Sequence, residues 1–229
     1  MNSIEIRDVK ATDIPAIKAV IAAAWDWVSL IKDEKTLNSA ISIYLHQVLH
    51  EATFGRVAVL DDKVAGVIFG SIDGAAPEYR ALMEDAAAHA VTLLGASKND
   101  RENIYEYLSN VKLTYEHLVR DFIDNYDGTL DFLVLAKEAQ GSGTGKNLWM
   151  ALKSYFEENN VTSIYLYSDT ECNFGFYEHN GFTKRAEQNV TFTFSGEEFK
   201  TSIFLYDIQL QKGGEKIYGY ADTTLQETH

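Results

Sequence analysis

The sequence predicts an α/β fold, a mixed sheet with helices on its faces. Three observations lead there: strand signals at both ends, two strand–helix–strand crossovers between them, and hairpin signals near each end. The chain has 229 residues with 46% hydrophobic side chains, enough to bury a full core. Two prolines and 24% charged residues argue against a disordered or collagen-like chain. One cysteine excludes an internal disulfide framework and a cysteine-rich zinc site. A formal charge of -14 argues against broad nucleic-acid binding and suits a cationic substrate or plain solubility.

Ser3 to Val9 alternates as a first strand. Thr12 reads as a helix N-cap, with Pro15 in the first turn and Ile14, Ile17, Ile21, Ala24, Trp25 and Val28 at helical spacing. Leu37, Ile41, Tyr44, Leu45, Val48 and Leu49 share one face of a second helix. Arg56 to Leu60 and Val64 to Ile72 form a hairpin about Asp61-Asp62-Lys63. Residues 74–128 show no strand signal. Pro77 to Leu94 reads as one helix, and Asn99 with Glu102 makes a capping box for another. That helix carries the stripe Ile104, Tyr107, Leu108, Val111, Tyr115, Leu118, Val119 and Phe122, with Asp127-Gly128 as its stop. The alternating rhythm then returns: strand Leu130 to Ala136, helix Lys146 to Glu158, strand Ser163 to Tyr167, short helix Cys172 to Asn180. Val190 to Phe194 and Thr201 to Ile208 close the pattern as a hairpin about Ser195-Gly196. The apolar stretch Ile14 to Val28 is broken by Lys18 and Asp26 and preceded by acids, so neither a membrane span nor a signal peptide is expected. A cytoplasmic location is the expectation.

The most informative segment is Gln140-Gly141-Ser142-Gly143-Thr144-Gly145-Lys146, between an apolar strand and a helix. Three glycines permit a tight turn and a close ligand approach, and the helix start offers free N–H groups at its positive end. Together these suit a phosphate. A magnesium-nucleotide loop does not fit, because Gln140 stands where its first glycine belongs and Asn147 where its Ser or Thr belongs. A dinucleotide fingerprint does not fit either, because Lys146 or Leu148 replaces its third glycine. A glycine-rich turn without a ligand stays open on this segment alone.

What remains is Q-x-x-G-x-G at Gln140, Gly143 and Gly145, followed about thirty residues on by Phe176-Tyr177-Glu178 and then Gly181-Phe182. In this order and spacing the chain resembles the GCN5-related N-acetyltransferase (GNAT) family. The resemblance implies a mostly antiparallel central sheet flanked by helices, a single domain over 1–211 with a helical insertion at 74–128 between strands 3 and 4, and a tail at 212–229. It implies acetyl-CoA as co-substrate, no metal, and a small-molecule or peptide amine as acceptor. By the same resemblance the amine would attack the thioester directly in a ternary complex. Strands 4 and 5 would splay, and the pantetheine arm would lie along Leu133, Val134 and Leu135. The pyrophosphate would sit on the amides of Gly141, Ser142, Gly143, Thr144, Gly145 and Lys146, with Gln140 shaping the turn and Asn173 near the arm.

Tyr177 matches the family's general acid, with Phe176 as the packing aromatic of the pair. Asp131 is a candidate base because alternation puts it on the face of Leu133 and Leu135; an edge carboxylate that solvates the strand start is the other reading. Asp26 and Trp27, at the end of the first helix, are candidates for an acceptor wall, with Trp25 in the core. Cys172 reads as a small hydrophobe rather than an acyl carrier, His179 as a surface residue, and His46 with His50 as a helix-surface pair rather than metal ligands. The insertion holds ten acids and five bases, a net of −5. Three roles are open to it: a cover over the acceptor site, a homodimer element through Tyr107, Val111 and Tyr115, or packing on the sheet. A non-catalytic acyl-CoA-binding module is the alternative to an enzyme.

Overall fold

A computed structural model describes residues 4–25, 31–194 and 197–210. In chain order the elements are β1 (Ile4–Asp8), α1 (Ile14–Ala24), α2 (Glu34–Glu51), β2 (Phe54–Leu60), β3 (Lys63–Ile72), α3 (Ala86–Gly95), α4 (Lys98–Val119), β4 (Gly128–Leu135), α5 (Thr144–Glu158), β5 (Ser163–Asp169), α6 (Gly175–His179), β6 (Thr183–Phe194) and β7 (Glu197–Gln209). The seven strands form one sheet in the order β1-β2-β3-β4-β5-β7-β6. All neighbours are antiparallel except β4 and β5. This is the mixed, mostly antiparallel sheet expected.

The β2–β3 hairpin turns at Asp61 and Asp62, both in the left-handed region (φ 49 and 61), which aspartate tolerates better than most residues. Alternation along the strands sorts side chains to two faces. On β5, Ile164 and Leu166 join Leu148, Leu152 and Phe156 of α5, whereas Tyr165 and Tyr167 turn to the opposite face and meet Val111, Tyr115 and Leu118 of α4. Helices α1 and α2 lie on the same face as α4, over Val57, Val67, Phe69, Phe132 and Val134. The sheet is therefore covered on both sides.

Several local expectations are corrected by tertiary contacts. Pro77 to Leu94 is not one helix. Tyr79 donates to Gly55 O (3.1 Å) and Glu78 N to Ala52 O (3.0 Å), which ties the segment to β2 and the end of α2. Glu84 then accepts from Lys18 Nζ (2.8 Å) and Ser42 Oγ (2.7 Å). Only after this anchor does Asp85 start α3, by accepting from the amides of Ala87 and Ala88. The cap of α4 is Ser97, which accepts from Asp100 N (3.1 Å), rather than Asn99. Helix α4 also stops at Val119, before the expected Asp127-Gly128. The Asp127 carboxylate instead accepts from Thr162 N (2.9 Å) and Oγ1 (2.6 Å). At the other end of the chain, Thr12 lies in a 3-10 turn, and Asp13 holds the N-cap position of α1 while its carboxylate takes Arg7 and Lys10 N.

The stripe Tyr107, Val111 and Tyr115 is not a free dimer surface. Tyr115 stacks on Tyr167 with centroids 3.9 Å apart, Tyr107 packs on Phe192, and Val111 joins the cluster around Leu118, Ile203 and Leu205. The sheet itself buries this face of α4, which is the third role considered above. The tail at 212–229 lies outside the described residues.

Candidate active site

β4 and β5 pair at only two positions, Gly128 with Ile164 and Thr129 with Tyr165. From there β4 stays with β3 as far as Leu135 opposite Gly66, and β5 stays with β7 as far as Asp169 opposite Ile203. The two strands part and leave a cleft between them. Its closed end is clamped by Asp127, which accepts from both Thr162 and Ser163 at the head of β5. Gly128 lets β4 lie close against β3 at this end, because a Cβ at that position would lie 2.7 Å from Ser71 O. The backbone of β4 past Thr129 thus keeps hydrogen-bonding groups on its β5 side that no ladder uses, among the described residues.

The glycine turn sits at the open end. Gly141 (φ 71) and Gly143 (φ 86) are both left-handed, a conformation costly for any residue with a Cβ. Gly143 is the N-cap of α5, and Asn147 N is the first amide to bond back, to Gly143 O (3.0 Å). The amides of Thr144, Gly145 and Lys146 precede it and have no partner within the helix. Ser142 Oγ donates to Ala139 O (2.7 Å), which fixes the turn. Gly145 is a second steric requirement: a Cβ there would lie 3.2 Å from Leu135 and 3.4 Å from Phe176. The helix start therefore abuts both the end of β4 and α6. Gln140, Gly141, Ser142, Gly143 and Lys146 are exposed around this turn, so its surface is accessible.

Across the cleft, Asp169 at the end of β5 accepts from the amides of Glu171 and Cys172 (both 2.9 Å). This Asx turn sets up α6. Asn173 is exposed just before it, and Asn173 O accepts from Phe176 N (3.0 Å). Both aromatics of the pair pack. Phe176 lies beside the Gly145 position, and Tyr177 is buried edge-on against Phe176 and Phe182. Burial, with smaller effects from Cys172 and Asp169, holds the Tyr177 phenol well above its ordinary value, so it is protonated at neutral pH. Protein crowded around the Cys172 sulfur, with the Asp169 charge, pushes this thiol up to about 12, which leaves it a poor nucleophile although part of the residue reaches the surface. Glu178 points elsewhere and accepts from Tyr206 Oη (2.9 Å). His179 is exposed and bonds to Gly175 O.

The placement of Asp131 corrects the alternation argument. Phe69 pairs with Phe132 but Gly70 pairs with Leu130, so Asp131 is the extra residue of a β-bulge. Gly70 faces α5, since a Cβ there would meet Leu152, and its neighbour Ser71 faces the opposite way. Ser71 Oγ donates to Asp131 Oδ1 (3.0 Å), so Asp131 lies on the α1, α2 and α4 face with Phe132, whereas Leu133 and Leu135 pack toward α5. Val134 shares the face of Phe132. Asp131 Oδ2 is buried and has no hydrogen-bond partner. Burial, opposed by the Ser71 bond and aided by Glu51, raises this carboxyl to about 7.

Three residues of this face carry no motif and escape a reading by signature. Tyr44 of α2 lies edge-on to Trp25 and to Phe132 (4.7 Å between the Tyr44 and Trp25 centroids), and its phenol is raised by burial and, more weakly, by Tyr107, Cys172, Asp131 and Tyr177. Tyr107 and Tyr115 of α4 are raised the same way, with Asp169 and Cys172 contributing to both. Trp25, Tyr44 and Tyr107 pack in one cluster with Phe132, and Tyr115 stacks on Tyr167 in the neighbouring one. Their only sequence signal was a helical stripe, which does not say what it covers. Trp25 packs against the core as expected; Asp26 and Trp27 lie outside the described residues.

Comparison with known proteins agrees with this geometry. Residues 121–195 match the family described as "Acetyltransferase (GNAT) domain", a span that contains β4, the glycine turn, α5, β5 and α6. No curated protein matches the chain in sequence. Among solved structures, an N-acetyltransferase from Staphylococcus aureus Mu50 is similar with a TM-score of 0.51 and 13% identity, over 91% of this chain and 99% of that one. Ard1 from Thermoplasma volcanium gives 0.52 and 15%, over 91% and 98%. YncA from Salmonella typhimurium, solved with its cofactor acetyl-CoA, gives 0.51 and 14%, over 93% and 98%. These are likenesses of fold, and the match to the GNAT acetyltransferase domain covers the part of the chain that builds the cleft.

Proposed function

We propose that the protein is an acetyl-CoA-dependent N-acetyltransferase that transfers the acetyl group directly to an amine in a ternary complex. The observation that carries this reading is the β4–β5 opening, with its unladdered β4 edge and the glycine-capped helix start at its mouth. That pair of features suits a long ligand with an amide-bearing arm and a pyrophosphate. The residues present fit it: the N–H groups of Gly141 to Lys146 receive the anion, Leu133 to Leu135 offer backbone partners to the arm, and Asn173 stands where the arm passes α6. When bound, acetyl-CoA supplies an electrophilic thioester carbonyl and a thiolate leaving group.

The chain's residues then have two proton tasks. Tyr177 holds its proton at neutral pH and delivers it toward the departing sulfur. Asp131, with one oxygen fixed by Ser71 and the other unpartnered, accepts a proton from the acceptor ammonium, directly or through water. A group raised to about 7 is balanced between its two forms near neutrality, which suits a base. Calorimetric titration with CoA and an assay of CoA thiol release over an amine panel test the reading. Micromolar CoA binding with amine-dependent thiol release supports it, and absence of CoA binding overturns it.

Among the described residues no helix is long and apolar enough to cross a membrane, so an acceptor in solution is the one to try first.

A further inference from the structure

Helix α4 stops at Val119, and past its end lies an open cavity of about 370 Å³. Phe122, Asn125 and Tyr126 line it from the segment entering β4, Asp207 and Gln209 from β7, and Arg185 from β6. It is outside the cofactor cleft, behind the rung that closes it. Asp127, which accepts from Thr162 and Ser163, directly follows Tyr126, and Gln209 Nε2 donates to Ser163 Oγ (2.8 Å). Three features distinguish the cavity from a packing gap. Arg185 is the extra residue of a β-bulge, since Lys184 pairs with Tyr206 and Ala186 with Leu205, and its side chain reaches across to Asp207. Asp207 is buried, and its two oxygens accept from Arg185 Nε (both 2.8 Å) and one of them from Tyr126 Oη (3.2 Å). Arg185 Nη1 and Nη2 and the Asn125 side-chain amide have no partner among the described residues.

We propose that this cavity is an effector site for a small monocarboxylate on an aromatic or alkyl body, and that its occupant firms the closed end of the cofactor cleft. A guanidinium commonly meets a carboxylate with two parallel N–H groups. Asp207 takes only Nε, so the Nη1 and Nη2 end of the fork is left for a second carboxylate. Asn125 adds an amide donor, and the rings of Phe122 and Tyr126 offer a wall to an apolar body. Asp207 limits the charge: Arg185 matches a monoanion, whereas a phosphate dianion would be set against that carboxylate. An occupant touches both sides of the closing rung, Asn125 and Tyr126 ahead of β4 and Gln209 beside Ser163 of β5. Its binding is therefore coupled to that of a ligand in the cleft, a consequence that rests on the acetyltransferase reading.

Calorimetry on the full chain, with and without CoA, compares phenylacetate, hexanoate, phenylacetamide and inorganic phosphate. Phenylacetate and hexanoate should bind about tenfold more tightly than phenylacetamide and phosphate. Phenylacetate should bind with CoA present and lower the CoA dissociation constant about threefold or more. Arg185→Lys keeps a charge beside Asp207 but loses the fork, and should weaken phenylacetate about tenfold. Asn125→Asp, at an exposed position, sets a like charge in the lining and should weaken it by about as much. Both variants should keep the parent's CoA affinity when phenylacetate is absent. The site is overturned if phenylacetate does not bind, if CoA displaces it, if phenylacetamide binds as well, or if both variants hold it as tightly as the parent. Phenylacetate binding that leaves CoA affinity unmoved or weaker overturns the coupling. If CoA itself fails to bind, the acetyltransferase reading falls, and phenylacetate binding with its loss in the two variants still decides the site. Should Arg185→Lys lose its circular dichroism spectrum, Asn125→Asp and the ligand ranking decide.

Discussion

β5 is laddered to β7 along its whole length, from Ser163 opposite Gln209 to Asp169 opposite Ile203, but to β4 only at two residues. One edge of the strand completes a sheet and the other opens it. The difference lies in what fills the space alongside. On the β7 side, Ile203 and Leu205 alternate with Phe204 and Tyr206, so that both faces of the pair are packed, by α4 and by the α5 cluster. On the β4 side, the bulge at Asp131 re-aims the strand, and a glycine-led helix start occupies the far end. A strand pair is complete where both faces are filled, and opens where one strand is re-aimed by a bulge and a glycine-led helix start takes the space beside it.

The comparison can be broken at its open edge first. Tyr177→Phe removes one hydroxyl and should lower kcat by about 10²–10³ with CoA affinity unchanged, read by steady-state kinetics and calorimetry. Full activity would remove Tyr177 from the proton path. Gly145→Val places branched carbon between Leu135 and Phe176 and should weaken CoA binding by about tenfold or more.

Asp131→Asn separates activity from stability. Turnover of the parent should rise with pH through about 7, as Asp131 loses its proton, and the variant should lack that limb. Stability runs the other way. The folded carboxyl, near 7, holds its proton more tightly than the unfolded one at its ordinary 3.8, so the parent loses stability as pH climbs between those values and stays lower above them. The variant, free of this, should gain on the parent across that window and be level with it below. Denaturant melts at pH 3.5, 5.5 and 8 check the sign; a constant difference would place the carboxyl in water.

The laddered side should respond in stability alone. Leu118→Ala deletes a buried side chain between α4 and the β5–β7 pair and should cost about 2–4 kcal/mol in denaturant melts, with CoA affinity unchanged. At the small end, Lys112→Ala removes an exposed partner of Glu116 on α4 and should shift stability by no more than about 0.5 kcal/mol.

What could be read in advance follows the same division. The glycine turn, its helix and the α6 signature are local patterns, and the structure places them where their spacing implied. So was the β2–β3 hairpin, because the turn chemistry of Asp61-Asp62 is local. Strand alternation alone misplaces Asp131, because a bulge is a register event between two strands and nothing in Leu130 to Leu135 announces it. Pro77 to Leu94 read as continuous because its helical pattern is unbroken; what interrupts it is Lys18, a distant residue that claims Glu84. Tyr107 and Tyr115 show in the sequence as a stripe, but a stripe names a buried face and not the neighbour that buries it, here Phe192 and Tyr167.

The ends of the insertion carry a last consequence. Ile72 pairs with Gly128, and Asp73 N donates to Asp127 O (2.9 Å), so the chain leaves the sheet and returns to it at one rung. Residues 73–127 take the place a tight turn would hold in an ordinary β3–β4 hairpin. Topologically the segment is a detachable loop, and closing a long loop costs only slightly more than closing a short one. Energetically it is not detachable, because excision would strip the cover from Ile203 and Leu205. A lineage could gain such a segment in one step, yet once the sheet had come to rely on it, could not readily lose it.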